Sequence, residues 1–187
     1  MTWWEFSTAA IHHRRAVARS SGNTAPSLPH NLVCWYDAVA YTRWLGQRLG
    51  MPIALPTEAQ WQRAAQGDDG RSFPWGNHFD RTRCNTAESN LRGPSPVDAY
   101  PEGISVYGVH DLAGNVWEWC LNVAGRPNSI NPKTVGQRAV RGGSWMHTRE
   151  YATTSYREQC QPAAQFSFLG FRVAISDRST SHDEGIE

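Results

Sequence analysis

The sequence predicts an α+β domain with two main helices, short strands and long ordered loops, and three observations predict it. Apolar residues recur at helical spacing in two windows, 34–50 and 57–67. Alternating β-forming residues appear later, in "VWEWC" and "FRVAI". Nine Trp, 16 Gly and 11 Pro in 187 residues point to loops pinned by aromatic packing rather than to further long helices.

The first 30 residues are weakly patterned, with a short helix predicted over 6–17 and a Ser/Gly/Pro loop after it. His12 and His13 are adjacent, so on a helix they diverge and form no i, i+4 metal pair. "CWYDAVAYTRWLGQRLG" is the clearest helix. Ala38, Tyr41, Leu45 and Leu49 share a stripe beside Trp44, Asp37 suits the first-turn dipole and Gly50 suits the stop. The second helix starts at "PTEAQWQRAAQG", where Thr57 and Gln60 have capping-box spacing. Trp61, Ala64 and Ala65 face inward there, and Gly67 ends it. Periodicity fades after Gly67, and an irregular stretch that long is usually functional or held by bound ions. Strands are predicted over 116–120, 138–142 and 170–175, and the last ten residues form a frayed polar tail.

Basic and acidic residues number 18 and 17, a balance that predicts no nucleic-acid and no membrane partner. The four cysteines, Cys34, Cys84, Cys120 and Cys160, form no C-x-x-C, which argues against a zinc knuckle or thioredoxin motif. No secretory leader or spanning segment is legible, so the expected compartment is the cytoplasm and the thiols are expected to be free.

Seven segments then occur in order: "LPTEAQWQRAA", "FPWGN", "CNTAES", "PVDAYP", "YGVHDLAGNVWEW", "RAVRGGSW" and "LGFRVA". Together they resemble the formylglycine-generating enzyme, or sulfatase-modifying factor, family, over about 32–176. The resemblance implies a C-type lectin-like fold in one domain over 1–187, with a core at about 31–177 and an N-terminal part, 1–30, that is trimmed or divergent. It also implies structural calcium in the loops, for which oxygen-rich sites are needed. Asn115 and Glu118, with the carbonyls of Gly114 and Val116, are the first candidate set. Asn85 and the Thr86 carbonyl, with Asn90 or Asp98 nearby, are the second. Arg141 and Arg172 read as buried structural guanidinia, and Gly142 and Gly143 as a bulge or close approach.

The family oxidises a cysteine of a client sulfatase to formylglycine with two copper(I)-binding cysteines, and paired soft thiolates suit that ion. These stand at the second and seventh positions past the aromatic residue of the Gly-Gly-Ser-aromatic motif. Counted from Trp145, the positions are His147 and Ala152, so no catalytic pair and no copper are expected. A related branch, the iron-dependent sulfoxide synthases, echoes "TSYREQCQP" but takes its iron ligands from a helical domain that this sequence does not show.

A third branch, the variable proteins of diversity-generating retroelements, uses the stretch between the GGSW and GFR motifs as a recognition surface. Here that stretch is 146–169. The expected binding residues are His147, Thr148, Arg149, Tyr151, Thr153, Tyr156, Glu158, Gln159, Gln161, Gln165, Phe166 and Phe168, with Thr154 also expected at the surface. Aromatic anchors mixed with small polar residues suit a binding face for an unknown protein or small ligand. Met146, Glu158, Gln159, Gln161 and Gln165 do not arise from mutated Asn codons, which weighs against retroelement diversification. The expectation is a non-catalytic binding module. The alternatives are a formylglycine-generating oxidoreductase, a fragment of a sulfoxide synthase, and a structural or sensor domain of a larger protein.

Overall fold

The computed structural model describes residues 27–175, so the helix expected over 6–17 and the tail at 178–187 lie outside the described residues. The first helix, α1, is Trp35–Leu49. Its start is fixed by Asp37, whose Oδ2 accepts from the Cys34 N–H at 3.3 Å, and its end by Gly50 at φ 65°. Trp35, Ala38, Val39, Thr42 and Leu45 are buried, but Leu49 is 54 % exposed. The expected apolar stripe therefore stops one turn early, because the last turn contributes nothing to the core that Trp35, Ala38 and Val39 enter.

The second helix, α2, is Glu58–Gln66. Its capping box closes in both directions: Thr57 Oγ1 accepts from Gln60 N–H at 3.2 Å and Gln60 Oε1 from Thr57 N–H at 2.8 Å.

Six short strands and three 3₁₀ turns join these helices among the described residues; the strands are β1 (Ile53–Ala54), β2 (Trp117–Val123), β3 (Arg138–Arg141), β4 (Glu158–Cys160), β5 (Leu169–Gly170) and β6 (Ala174–Ile175). The main sheet runs β4-β3-β2-β5, with β2 antiparallel to β3 and parallel to β5. A separate ribbon pairs β1 with β6. The strand expected over 170–175 is thus two strands in two sheets. Arg172 interrupts them by turning its guanidinium inward.

β2 is buried along nearly its whole length, and the two-residue period sorts its side chains. Trp117 and Trp119 join Val140 and Leu169 beneath α1. Cys120 joins Ala139 beneath Trp61, Ala64 and Ala65 of α2. The sheet is therefore sandwiched between the two helices. Each buried indole N–H of this core finds an acceptor: Trp35 gives to the Cys120 carbonyl at 2.8 Å, Trp119 to Val33 at 3.0 Å and Trp61 to Glu118 at 2.7 Å. Truncating any of these rings to Ala would cost about 3–5 kcal/mol.

Candidate functional site

The stretch after β3 is positioned by a buried guanidinium. Arg141 is fully buried, and its Nη1 donates to the carbonyls of Ser155 (3.1 Å) and Tyr156 (2.7 Å). Its Nη2 donates to the Thr154 carbonyl (2.8 Å) and to Gln62 of α2 (2.9 Å), with Glu58 as counter-charge at 3.5 Å. One side chain thus ties loop 154–156 to a helix. Gly142 and Gly143 carry φ of 98° and 73°, and a Cβ on Gly143 would press on the backbone of Tyr151 and Ala152 at 3.0–3.1 Å. The chain then turns at Ser144 and enters a 3₁₀ helix at Arg149–Ala152.

This path brings His147, Tyr151, Tyr156 and Phe168 together over the indole of Trp117. Ring centroids lie 5.2 Å apart for His147–Tyr151, 5.4 Å for His147–Phe168, 4.9 Å for Tyr151–Tyr156 and 6.0 Å for Trp117–Tyr156. Phe166 extends the patch by stacking on Phe168 at 5.0 Å. These rings are half-buried and Phe166 is exposed, so the face is built from core-supported aromatics. Burial pushes the His147 imidazole below its usual range, opposed by the Glu158 carboxylate.

The other expected binding residues are spread along the rim. Thr148, Glu158, Gln159 and Gln161 are exposed. Gln165 reaches across to Asp37 of α1 at 3.4 Å. Arg149 turns away from the aromatic face: its guanidinium lies over Phe79, 5.8 Å from the ring centroid, and its backbone N–H gives to Glu88 at 3.0 Å. It leans toward a separate cleft lined by Trp75, His78, Phe79, Arg81, Arg83 and Glu88. Thr153 is half-buried, with its hydroxyl on the Glu150 carbonyl. Thr154 is not at the surface at all. It is fully buried, and its hydroxyl donates to the Arg71 carbonyl at 2.6 Å, because the loop that it belongs to is drawn inward by Arg141.

Ala152 is fully buried against Cys84 and Ala113. Cys84 is a thiol close to Ala152 that sequence spacing does not reveal, and burial pushes it up to about 12, which keeps it protonated at neutral pH.

The expected calcium ligands divide between two networks. Glu118 is clamped by Arg172, with Nε on Oε2 at 2.5 Å and Nη2 on Oε1 at 2.6 Å, and Oε2 also accepts from Trp61. Burial alone would lower the Arg172 guanidinium, but Glu118 more than offsets this and raises it. Asn115 serves elsewhere: its Oδ1 accepts from Ser95 N–H at 2.9 Å, and its Nδ2 donates to the Ser95 carbonyl and to Asp111 Oδ2, both at 3.1 Å. Asn115 and Glu118 therefore do not converge on one point, because Glu118 answers a buried cation. Asn85 joins Asn115, giving its carbonyl to Asn115 N–H at 2.7 Å, while the Thr86 carbonyl accepts from Ser89 N–H and hydroxyl. Gly114 donates to the Gly142 carbonyl at 2.7 Å, and Val116 is buried beneath β5.

Asp111, absent from the expected ligand set, carries the charge that this network leaves unanswered. Burial pushes its carboxyl up to about 7, with Asn115 and then Arg172 acting against the shift. Its partner in this network is the Asn115 Nδ2–H donor, and among the described residues no three His, Cys, Asp or Glu side chains gather where they could hold a metal ion. None of the described helices is long and apolar enough to cross a membrane.

Residues 2–177 match the family of the Sulfatase-modifying factor enzyme 1-like domain. The chain is 35% identical over 190 residues to the mouse protein "Inactive C-alpha-formylglycine-generating enzyme 2", covering 93% of this chain and 58% of that one. It is 34% identical over 202 residues to "Formylglycine-generating enzyme" of Thermomonospora curvata, covering 92% and 63%. It spans about three-fifths of the length of these curated relatives. Among solved structures, "Treponema denticola variable protein 1" superposes with a TM-score of 0.73 at 23% identity, covering 86% of this chain and 76% of that one, which shows the shared fold. With its seven ordered motifs and its helix–sheet–helix core, the chain belongs to the family of the Sulfatase-modifying factor enzyme 1-like domain and has a C-type lectin-like α+β fold.

Proposed function

We propose that this domain is a non-catalytic binding module whose ligand sits on the aromatic face of His147, Tyr151, Tyr156 and Phe168, with the rest of 146–169 as its rim. One observation carries the reading. At the two positions where the family's oxidation needs copper-binding thiolates, the chain has an imidazole within an aromatic face and a methyl group sealed in the core. Half-buried tyrosines backed by a fixed indole give a binding face large contact area with little rotamer freedom to lose. The mouse relative is named as inactive and the Thermomonospora curvata relative as the enzyme, so the reading is drawn from the residues at 147 and 152.

Two measurements on the same sample test it. A ligand screen followed by amide chemical shifts should map hits to 146–169, and Tyr156→Ala should abolish them. In parallel, copper(I) and a cysteine-containing sulfatase peptide should yield no aldehyde. Aldehyde formation, or hits that map elsewhere, would overturn the reading.

The loops' cofactor in this proposal is calcium, with Asp111 supplying the charge and the Asn85–Asn115 group beside it. Its role is to hold the turn at Ser144, since Asn115 accepts from Trp145 N–H at 3.0 Å.

A further inference from the structure

The hydrogen bonds of His147 define which of its ring atoms faces a ligand. An indole N–H can only donate, and Trp117 Nε1–H donates to His147 Nδ1 at 3.2 Å. Nδ1 is therefore unprotonated. The Ser144 hydroxyl lies 2.6 Å from the same nitrogen and, with Nδ1 bare, turns its proton toward it, while its oxygen accepts from Met146 N–H at 3.3 Å. A neutral imidazole has one N–H, so the proton is on Nε2. The depressed basicity of this ring agrees with the neutral form. Nε2 has no hydrogen-bond partner among the described residues and is not one of their sealed, unpaired polar atoms. It is an open donor on a ring that packs against those of Tyr151 and Phe168.

We infer that His147 Nε2–H is the fixed polar anchor of the aromatic face, and that the face takes a flat aromatic group bearing a neutral carbonyl oxygen. This deepens the binding reading given above and rests on it. The rings supply stacking area for a flat body, and the N–H asks for an acceptor. Glu158 is exposed and close enough to act on both His147 and Tyr156, so it repels a carboxylate and favours an uncharged acceptor. The same tautomer makes Nε2 a poor metal ligand. A metal there would need the ring proton moved to Nδ1, directly against the Trp117 N–H.

The test has two arms. Long-range nitrogen–proton spectra of the purified protein at neutral pH should show His147 protonated at Nε2 and bare at Nδ1. The opposite tautomer overturns the inference and leaves the binding face standing. Benzamide, benzoate and toluene are then titrated separately. Benzamide should move the His147 Nε2 and Tyr151 signals and bind about 10-fold tighter than either of the others, the size expected for one hydrogen bond to a desolvated donor. His147→Gln should keep that preference because it keeps a donor. His147→Phe should lose it; this variant also leaves the Trp117 N–H without its acceptor and so melts somewhat lower, and amide spectra check that its fold is kept. Benzamide binding no tighter than toluene overturns the inference alone. If none of the three probes binds, the inference and the binding reading fall together.

Discussion

Arg141 holds Tyr156 by its backbone: the guanidinium Nη1 lies 2.7 Å from the Tyr156 carbonyl oxygen, and the same side chain takes the carbonyls of Ser155 and Thr154. A residue of the main sheet thereby sets the height of an aromatic ring on the candidate site. Replacing Arg141 with Ala removes these donors and the buried one of Glu58's two guanidinium partners, leaving only the exposed Arg157 at 3.3 Å. The expected loss is about 3–5 kcal/mol, read as a lower denaturation midpoint. Amide exchange should accelerate first at 154–156.

Glu118 and Arg172 form a sealed ion pair, with both side chains 6% exposed. Glu118→Gln should destabilise the domain by about 3–5 kcal/mol, because the buried Arg172 charge loses its bidentate partner and keeps only the weaker influence of Asp111. The loss should be the same with and without a calcium chelator. A loss that disappears in chelator would place Glu118 among the calcium ligands instead.

Asp111 gives a pH signature. Its folded-state value of about 7 lies above the unfolded value near 4, so the folded chain binds more protons in between. Without divalent ions, stability should therefore fall as pH rises from about 4 to about 7, at up to roughly 1.4 kcal/mol per pH unit. Asp111→Asn should flatten that slope in thermal melts run across the window.

Calcium should act on the same carboxylate. At a hundredfold excess over Kd, bound calcium adds about 2.7 kcal/mol of stability. Chelation should lower the melting temperature of the wild type and leave Asp111→Asn unmoved. An equal response of both proteins would remove Asp111 from the ligand set.

Tyr156 lies on the face, while Trp117 lies beneath it with 4% exposure. For any ligand recovered there, Tyr156→Ala should weaken binding by about 2 kcal/mol or more, measured by calorimetry. Its effect on stability should be smaller than that of Trp117→Ala, which opens a core cavity worth about 3–5 kcal/mol.

Local chemistry made the helices legible: the Thr57–Gln60 box and the Gly50 stop are written in adjacent residues, and both closed as expected. β1 was not legible, since two residues cannot show a period. Nor was β4, whose Glu158 and Gln159 are polar and exposed and pair only because β3 lies alongside. Much of the candidate site was legible as a stretch, 146–169, but not as a shape. Nothing local says that Thr154 turns inward to Arg71, 83 residues away in sequence, or that Arg149 leaves the face for Phe79. The pairing of Glu118 with Arg172 crosses 54 residues, and only the need of a buried guanidinium for an anion hinted at it. The Trp117–His147 bond carried no sequence signal, because a histidine's tautomer depends on which partner the fold delivers.

Arg141 grips main-chain oxygens, which every amino acid has, and asks nothing of the side chains of Ser155 and Tyr156. Lineages could rewrite the exposed chemistry at positions such as Ser155 and Arg157 while the scaffold underneath stayed as it is. Such a mounting separates the exposed side chains from what keeps the protein folded, and lets one architecture carry many unrelated surfaces.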